Sequence, residues 1–161
     1  MKKFLKEYGP YILIFILVLL TRTFLITPVK VNGSSMYNTL HDGEIMLLYK
    51  RAEISRNDIV VVNKKVQGSN IIKRIVAMPN ETIKCEDGII YINDRKYLDS
   101  FAYGITSDFE EVKLKEDEYF VLGDNRLVSE DSRIFGPVKR KYIEGEASIV
   151  IYPFTKFGKV K

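Results

Sequence analysis

Cysteine and histidine occur once each in 161 residues, and tryptophan does not occur at all. A single thiol, Cys85, cannot close an internal disulfide and cannot build a cysteine-based metal site. Nothing beside it in the sequence would tune a thiolate, so Cys85 reads as an inert strand residue. The single histidine, His41, precedes Asp42-Gly43 and reads as an exposed turn residue. Hydrolytic chemistry built on histidine therefore has little to draw on here. Lys and Arg total 25 against 21 Asp and Glu. These cations are scattered rather than gathered in a stripe, which argues against a nucleic-acid footprint and still permits attraction to anionic lipid. The length suits an anchor plus one domain with a single core. Ten tyrosines and nine phenylalanines supply the aromatic mass of that core.

What is present begins at the N-terminus. Lys2, Lys3 and Lys6 precede an apolar run from Tyr11 to Leu20, which continues through Thr21-Arg22-Thr23-Phe24-Leu25-Ile26 to Pro28. Counted through Ile26, the segment approaches the roughly 17–25 residues of a spanning helix. Arg22, near one end, can snorkel to the headgroups. A cleavable signal peptide would want an Ala-x-Ala-like site, whereas this chain continues Thr27-Pro28-Val29-Lys30. The expectation is a retained, single-pass signal-anchor over residues 10–27, behind a basic leader over residues 1–9. The leader predicts a cytoplasmic N-terminus, with the domain of residues 28–161 outside the cell membrane.

Beyond Pro28 the pattern has period two or short apolar runs between turn residues. Strands are predicted at Val29–Asn32, Glu44–Tyr49, Asp58–Val62, Asn70–Ala77, Thr82–Cys85, Ile89–Asn93, Tyr119–Leu122 and Ala147–Tyr152. Glu86-Asp87-Gly88 predicts a hairpin turn, and Ser35–Leu40 a short helical turn. Residues 94–118 are polar and weakly periodic, and read as a flexible insertion or a second hairpin. Many short strands with few helical patterns predict a mainly β domain, barrel-like or sandwich-like.

A serine hydroxyl needs a base to become a nucleophile. Lysine can serve if its amine is neutral, which requires desolvation from a pKa near 10.4. Lys73, within Ile71-Ile72-Lys73-Arg74-Ile75-Val76, has the most apolar neighbours of any lysine. On local pattern alone it reads first as an outward-pointing strand residue. Alternation requires Lys73 and Arg74 to face opposite sides of a regular strand. A third stretch, Gly123 through Pro137, is dense in Gly, Asp, Asn and Ser and by itself reads as a tight loop that Asp131 and Arg133 could brace.

Taken in order, three boxes resemble bacterial type I signal peptidases of the shorter, Gram-positive kind. They are Gly33-Ser34-Ser35-Met36-Tyr37-Asn38-Thr39-Leu40, then Lys73-Arg74-Ile75-Val76, then Gly123-Asp124-Asn125-Arg126 through Asp131-Ser132-Arg133. Asp42-Gly43-Glu44-Ile45 resembles a weaker fourth box. The resemblance implies a signal-peptidase-like β domain behind a membrane anchor, with no metal or other cofactor. It implies Ser35 as acyl-forming nucleophile, Lys73 as general base and Ser129 as a hydroxyl that orients the lysine. Asp131 and Arg133 match a bracing ion pair, while Arg74 and Asp124 match structural residues. Val29, Val31, Leu40, Ile71 and Ile72 fall where the family lines shallow substrate pockets. The backbone N–H of Ser35 would serve the oxyanion, but Gly33 stands where some relatives carry a second, hydroxyl donor. Asn38 replaces a proline that would stiffen the turn. Glu44 replaces an aspartate, Leu127-Val128 the commoner Asp-Asn, and Phe135 an aromatic that is often tryptophan.

The implied substrates are signal-peptide-bearing preproteins cut at the bilayer. Rival readings are a specialised relative processing pilin or surface-assembly subunits, and a non-catalytic membrane-tethered β domain that binds exported chains. A self-cleaving repressor with the same dyad would carry a DNA-binding segment in place of an anchor.

Overall fold

A computed structural model describes residues 2–63 and 65–160. Helix α1 (Lys2–Phe24) is followed after one residue by strand β1 (Ile26–Lys30). The apolar side chains of α1 from Tyr11 to Leu20 are exposed, and the 18 residues Glu7–Phe24 are long and apolar enough to cross a membrane. At 1.5 Å per residue the whole helix reaches about 35 Å. Its C-terminus is fastened to the β domain. Lys50 Nζ donates to the Thr23 carbonyl at 2.8 Å, and the Lys50 N–H donates to the Leu25 carbonyl at 2.9 Å.

The remaining strands are β2 (Ile45–Tyr49), β3 (Ile59–Val62), β4 (Ile71–Ala77), β5 (Thr82–Glu86), β6 (Ile89–Ile92), β7 (Arg95–Lys96), β8 (Phe109–Lys113), β9 (Glu118–Leu122), β10 (Val138–Lys139), β11 (Ile143–Tyr152) and β12 (Gly158–Lys159). A short helix, α2 (Ser132–Phe135), lies between β9 and β10. The main sheet runs β1-β2-β11-β3-β4-β9-β10, with β12 added to β11, and a second sheet runs β7-β6-β5-β8. The main sheet curls into a half-barrel, so the mainly β expectation holds.

Several boundaries differ from the predicted ones, each for a tertiary reason. Strand β1 starts at Ile26 because Ile26 pairs with Tyr49 as soon as α1 ends. Strand β11 starts at Ile143 because it is shared, pairing with β3 at one end and with β2 along the other. Residues 94–118 are neither a loose insertion nor a hairpin. Strand β7 pairs with β6, and β8 pairs with β5. The Asp87-Gly88 turn between β5 and β6 has positive φ at both residues, the type I′ geometry that suits strand twist.

Three apolar clusters fill the fold. The first joins Val31, Met36, Leu40, Met46 and Leu48 to β3 and β11, with Val29 and Ile72 packed against it. The second lies under the small sheet, centred on Ile83, Cys85 and Phe120. The third contains Val60, Val62, Ile75, Val121 and Val138, with Ile71 at its margin. Strand β4 separates the first and third clusters, so its alternation decides what Lys73 and Arg74 meet.

The expected helical turn after Ser35 is present, but the role of Asn38 in it is not the expected one. The N–H groups of Thr39 and Leu40 both donate to the Met36 carbonyl, closing one helical turn. Asn38 within it has φ 83°. Proline, locked near −65°, cannot adopt that conformation, whereas asparagine tolerates it. Asn38 therefore suits this backbone and is not a loosened substitute for proline. Asn38→Pro should lower stability by about 1–3 kcal/mol in chemical denaturation, while Asn38→Gly should be tolerated; a proline variant as stable as wild type would refute the turn geometry.

Candidate active site

Lys73 on β4 is only 3% exposed, which overturns its reading as an outward-pointing lysine. Its cross-strand partner is Val60, a member of the third cluster, and the same face carries Ile71 and Ile75. Arg74 projects to the other side. There it forks onto Asp124 through Nε at 2.8 Å and Nη2 at 2.7 Å, both groups buried, and its guanidinium stacks 3.7 Å from the Phe101 ring centroid.

Burial pulls the Lys73 amine down from its ordinary 10.5 to about 8. Desolvation outweighs the carboxylates of Asp131 and Glu130, which favour the charged form. The surroundings thus remove most of the barrier to a neutral amine near neutral pH.

Strands β4 and β9 pair Arg74 with Leu122 and Ile75 with Val121. Continuing that register by one residue sets Gly123 opposite Lys73, on the same face. Gly123 has no side chain to put there, and other groups use the space. A Cβ at Gly123 would lie 2.2 Å from Ser129 Oγ and 2.5 Å from the Ser35 carbonyl oxygen. The buried Ser129 hydroxyl and the Ser35 backbone therefore converge beside Lys73. Among the described residues Ser129 Oγ has no hydrogen-bond partner, and no hydrogen bond joins Lys73 to Ser35.

The half-buried Ser35 is held through its main chain. The Asn125 N–H donates to the Ser35 carbonyl at 3.0 Å, and Asn125 Nδ2 donates to the Ser34 carbonyl at 3.1 Å. Gly33, at φ 82°, donates its N–H to Asp42 Oδ1 at 2.7 Å. Asp131 caps α2 and accepts the Gly123 N–H at 3.0 Å, while Arg133 Nε donates to it at 2.8 Å. Arg133 Nη2 also donates to the carbonyls of Arg126 and Ser129. The bracing pair thus closes the loop around the Ser129 hydroxyl.

Ser35 lines a cavity of about 280 Å³ together with Lys30, Val31, Asn32, Met36, Ser69 and 70–72. Of the expected pocket residues, Val31, Ile71 and Ile72 are on its wall. Leu40, fully buried, and Val29 pack in the first cluster instead. His41 is exposed, with Nδ1 2.9 Å from Lys156 Nζ, and Lys156 also donates to the buried Glu44 at 2.7 Å. This group is separate from Lys73. Cys85 is buried, and desolvation pushes its thiol up to about 11, away from thiolate chemistry.

A sequence model of the family described as "Signal peptidase, peptidase S26" matches residues 4–152. The chain belongs to that family. It is 34% identical to signal peptidase I of Streptococcus pneumoniae serotype 4 over 98% of its length and 97% of that protein. It is 37% identical to signal peptidase I T of Bacillus subtilis strain 168, over 96% of this chain and 89% of the relative. In three dimensions it resembles a signal peptidase I of Enterococcus faecalis V583, with TM-score 0.53 and 31% identity, covering 59% of this chain and 97% of that one.

Signal-peptidase motifs located the loops, but not several residues that hold them together. Arg126 is buried, donating to the Gly123 carbonyl at 3.0 Å and Thr106 Oγ1 at 2.6 Å, and pairing with Asp99. Its place in the third box was a signal; Asp99 and Thr106, in the polar 94–118 stretch, carried none. Nor did Gly123 read as a space-maker, because its need appears only when β4, β9 and the serine loop meet.

Gly123→Ala should cost about 1–3 kcal/mol by overpacking, and adding Ser129→Gly should restore only part, since the Ser35 carbonyl contact survives. Denaturant titration of both variants tests this; a fully stable Gly123→Ala would contradict the close approach. Lys73 also links stability to pH. Its folded pKa of about 8 lies below the ordinary 10.5, so the unfolded chain holds more protons between these values and the wild type gains stability as pH rises through that window. Lys73→Met should be more stable than wild type at pH 7, by roughly 3 kcal/mol, and the advantage should vanish above about pH 10.5. A variant advantage independent of pH would show that Lys73 is not desolvated.

Proposed function

We propose that this chain is a membrane-anchored serine endopeptidase, a type I signal peptidase, that removes N-terminal signal peptides from exported preproteins through Ser35 and Lys73. The observation that carries the reading is the desolvated Lys73 set opposite Gly123, in whose missing side-chain space the Ser129 hydroxyl and the Ser35 backbone meet.

Ser35 Oγ attacks the carbonyl carbon that ends the signal peptide, and its proton passes to the neutral Lys73 amine. The new C–O bond leaves negative charge on the carbonyl oxygen, which the Ser35 N–H stabilises. The C–N bond then breaks, and Lys73 returns the proton to the departing amine. Water is next deprotonated by Lys73 and attacks the acyl carbon, releasing the signal peptide and regenerating Ser35. Hydrogen bonds of this kind often tighten only when substrate is in place. Ser129 acts as a positioning residue, its free hydroxyl offering the Lys73 amine a partner that fixes its direction. Asp131 and Arg133 hold the loop that carries Ser129. Val31, Ile71 and Ile72 form the wall against which small apolar side chains before the scissile bond would lie.

In this reading residues 1–9 are the leader, the anchor expected over 10–27 ends with α1 at Phe24, and the catalytic domain begins with β1 at Ile26, two residues before the expected 28–161. Lys2, Lys3 and Lys6 ahead of the apolar helix favour a cytoplasmic N-terminus and an extracytoplasmic domain. A substrate whose own signal segment is membrane-embedded meets such an enzyme in two dimensions, which raises its effective concentration.

Preprotein cleavage by the full chain should fall by several orders of magnitude in Ser35→Ala and in Lys73→Ala. Wild-type kcat/KM should rise with pH along a limb centred near 8, because only the deprotonated Lys73 can accept the serine proton. Equal cutting by all three proteins would end the dyad assignment, and a limb near 6.5 would indicate histidine instead.

A further inference from the structure

The loop that brings Ser129 to Lys73 also displays two apolar side chains to solvent. Leu127 and Val128 are 67% and 58% exposed, although Asn125, Arg126 and Ser129 around them are buried. Leu127 lies over Gly104, where a Cβ would sit 2.7 Å from its Cγ. Next to Gly104 is the exposed Tyr103, whose ring meets that of the exposed Tyr37 edge-to-face with centroids 5.2 Å apart. Tyr37, Tyr103, Leu127 and Val128 are thus exposed apolar side chains gathered from three segments into one shelf, linked by the Tyr37–Tyr103 ring contact and by Leu127 lying over Gly104, with Val128 exposed next in the chain.

The shelf is built in advance. Tyr103 bridges to Asn125, its N–H donating to the Asp124 carbonyl at 2.7 Å and its carbonyl accepting the Arg126 N–H at 3.0 Å. Arg126 then fastens the segment underneath to Asp99 and Thr106. The shelf adjoins the reacting groups on both sides. Tyr37 lies two residues beyond Ser35, and Val128 directly precedes Ser129. None of the four shelf residues lines the 280 Å³ cavity, which opens from Ser35 toward Val31, Ile71 and Ile72.

A peptide bond cut at Ser35 must have its two flanks on different sides of the serine. The cavity accommodates the residues before the bond. The amine that departs receives its proton from Lys73, so the residue bearing that amine arrives beside Ser129, and the chain after it continues over Val128 and Leu127. We propose that this shelf receives the first two residues of the released protein and selects apolar or aromatic side chains there, a proposal that rests on the Ser35–Lys73 reading. An apolar side chain would cover exposed Leu127 and Tyr103, while a carboxylate would lose water there without gaining a partner. Lipid is the other natural occupant of an apolar surface, but adjacency to the reacting groups favours peptide.

The test uses the full chain in detergent and peptides spanning a cleavage site, with the residues before the bond held constant. The two residues after it are Leu-Leu, Ala-Ala or Asp-Asp. Wild type should prefer Leu-Leu over Asp-Asp in kcat/KM by on the order of ten-fold, and Leu127→Asn with Val128→Asn should reduce that ratio at least about five-fold. Leu127→Ala should lower the ratio as well, and serves if the double variant does not fold. An indifferent wild type, or a ratio that neither variant moves, overturns the proposal. So does a ratio that stays constant while binding to phosphatidylglycerol vesicles falls, which would make the shelf a lipid contact. Ser35→Ala measured alongside separates the two levels: undiminished cleavage there defeats the dyad reading itself, and the shelf with it.

Discussion

Close approach at Gly123 is the constraint around which the rest of the site is arranged. Strand β4 brings Lys73, the chain after β9 brings a residue without a side chain, and the loop beyond folds the Ser129 hydroxyl into the space left. The Ser35 carbonyl enters the same space and is held there by the Asn125 N–H at 3.0 Å. Any side chain at 123 would meet backbone, which cannot swing away as a flexible side chain can. The serine loop, the lysine strand and the 123–136 loop are therefore placed relative to one another by contact rather than by long polar reach.

Around that contact the domain buries an unusual number of charges. Arg74 with Asp124, Arg126 with Asp99 and Arg133 with Asp131 each remove two ions from water. Such pairs add little net stability, but removing one partner is costly, so they fix geometry firmly. Their positions suit that use: one pins β4 to the third box, one pins the 99–107 loop beneath it, and one closes the loop over Ser129. Lys73 lies among them without an ion-pair partner of its own among the described residues. Desolvation consequently dominates its titration, and a lysine otherwise fully charged at neutral pH is brought close to its neutral form.

Legibility differed from part to part for identifiable reasons. The longer strands of the main sheet and the Asp87-Gly88 hairpin are local, set by period-two patterning and by turn residues that accept positive φ, and were readable to within a few residues, whereas the two-residue β10 and β12 are too short to show a period. The strands β7 and β8 were not, because Arg95 and Lys96 are both exposed and Phe109–Lys113 buries only Phe109 and Val112 in part, three residues apart, so neither shows a period-two face. Asn38 looked like a weakened proline turn, yet its φ of 83° admits asparagine and excludes proline. Leu40 looked like a pocket residue but is fully buried in the first cluster.

By itself the sequence determined which chemistry this protein can carry. One histidine, one inert thiol, a serine behind an apolar anchor and a lysine in an apolar strand leave few hydrolytic mechanisms, and the order of the boxes singles out a family. Tertiary structure alone decided the titration of the lysine. Facing solvent, Lys73 would remain protonated. The register of β4 against β3 and β9 turns it onto the third apolar cluster and opposite a glycine, and only there does burial pull its amine down to about 8. A pKa depends on the dielectric and the charges surrounding a group in space, and those neighbours come from strands and loops far apart in the chain.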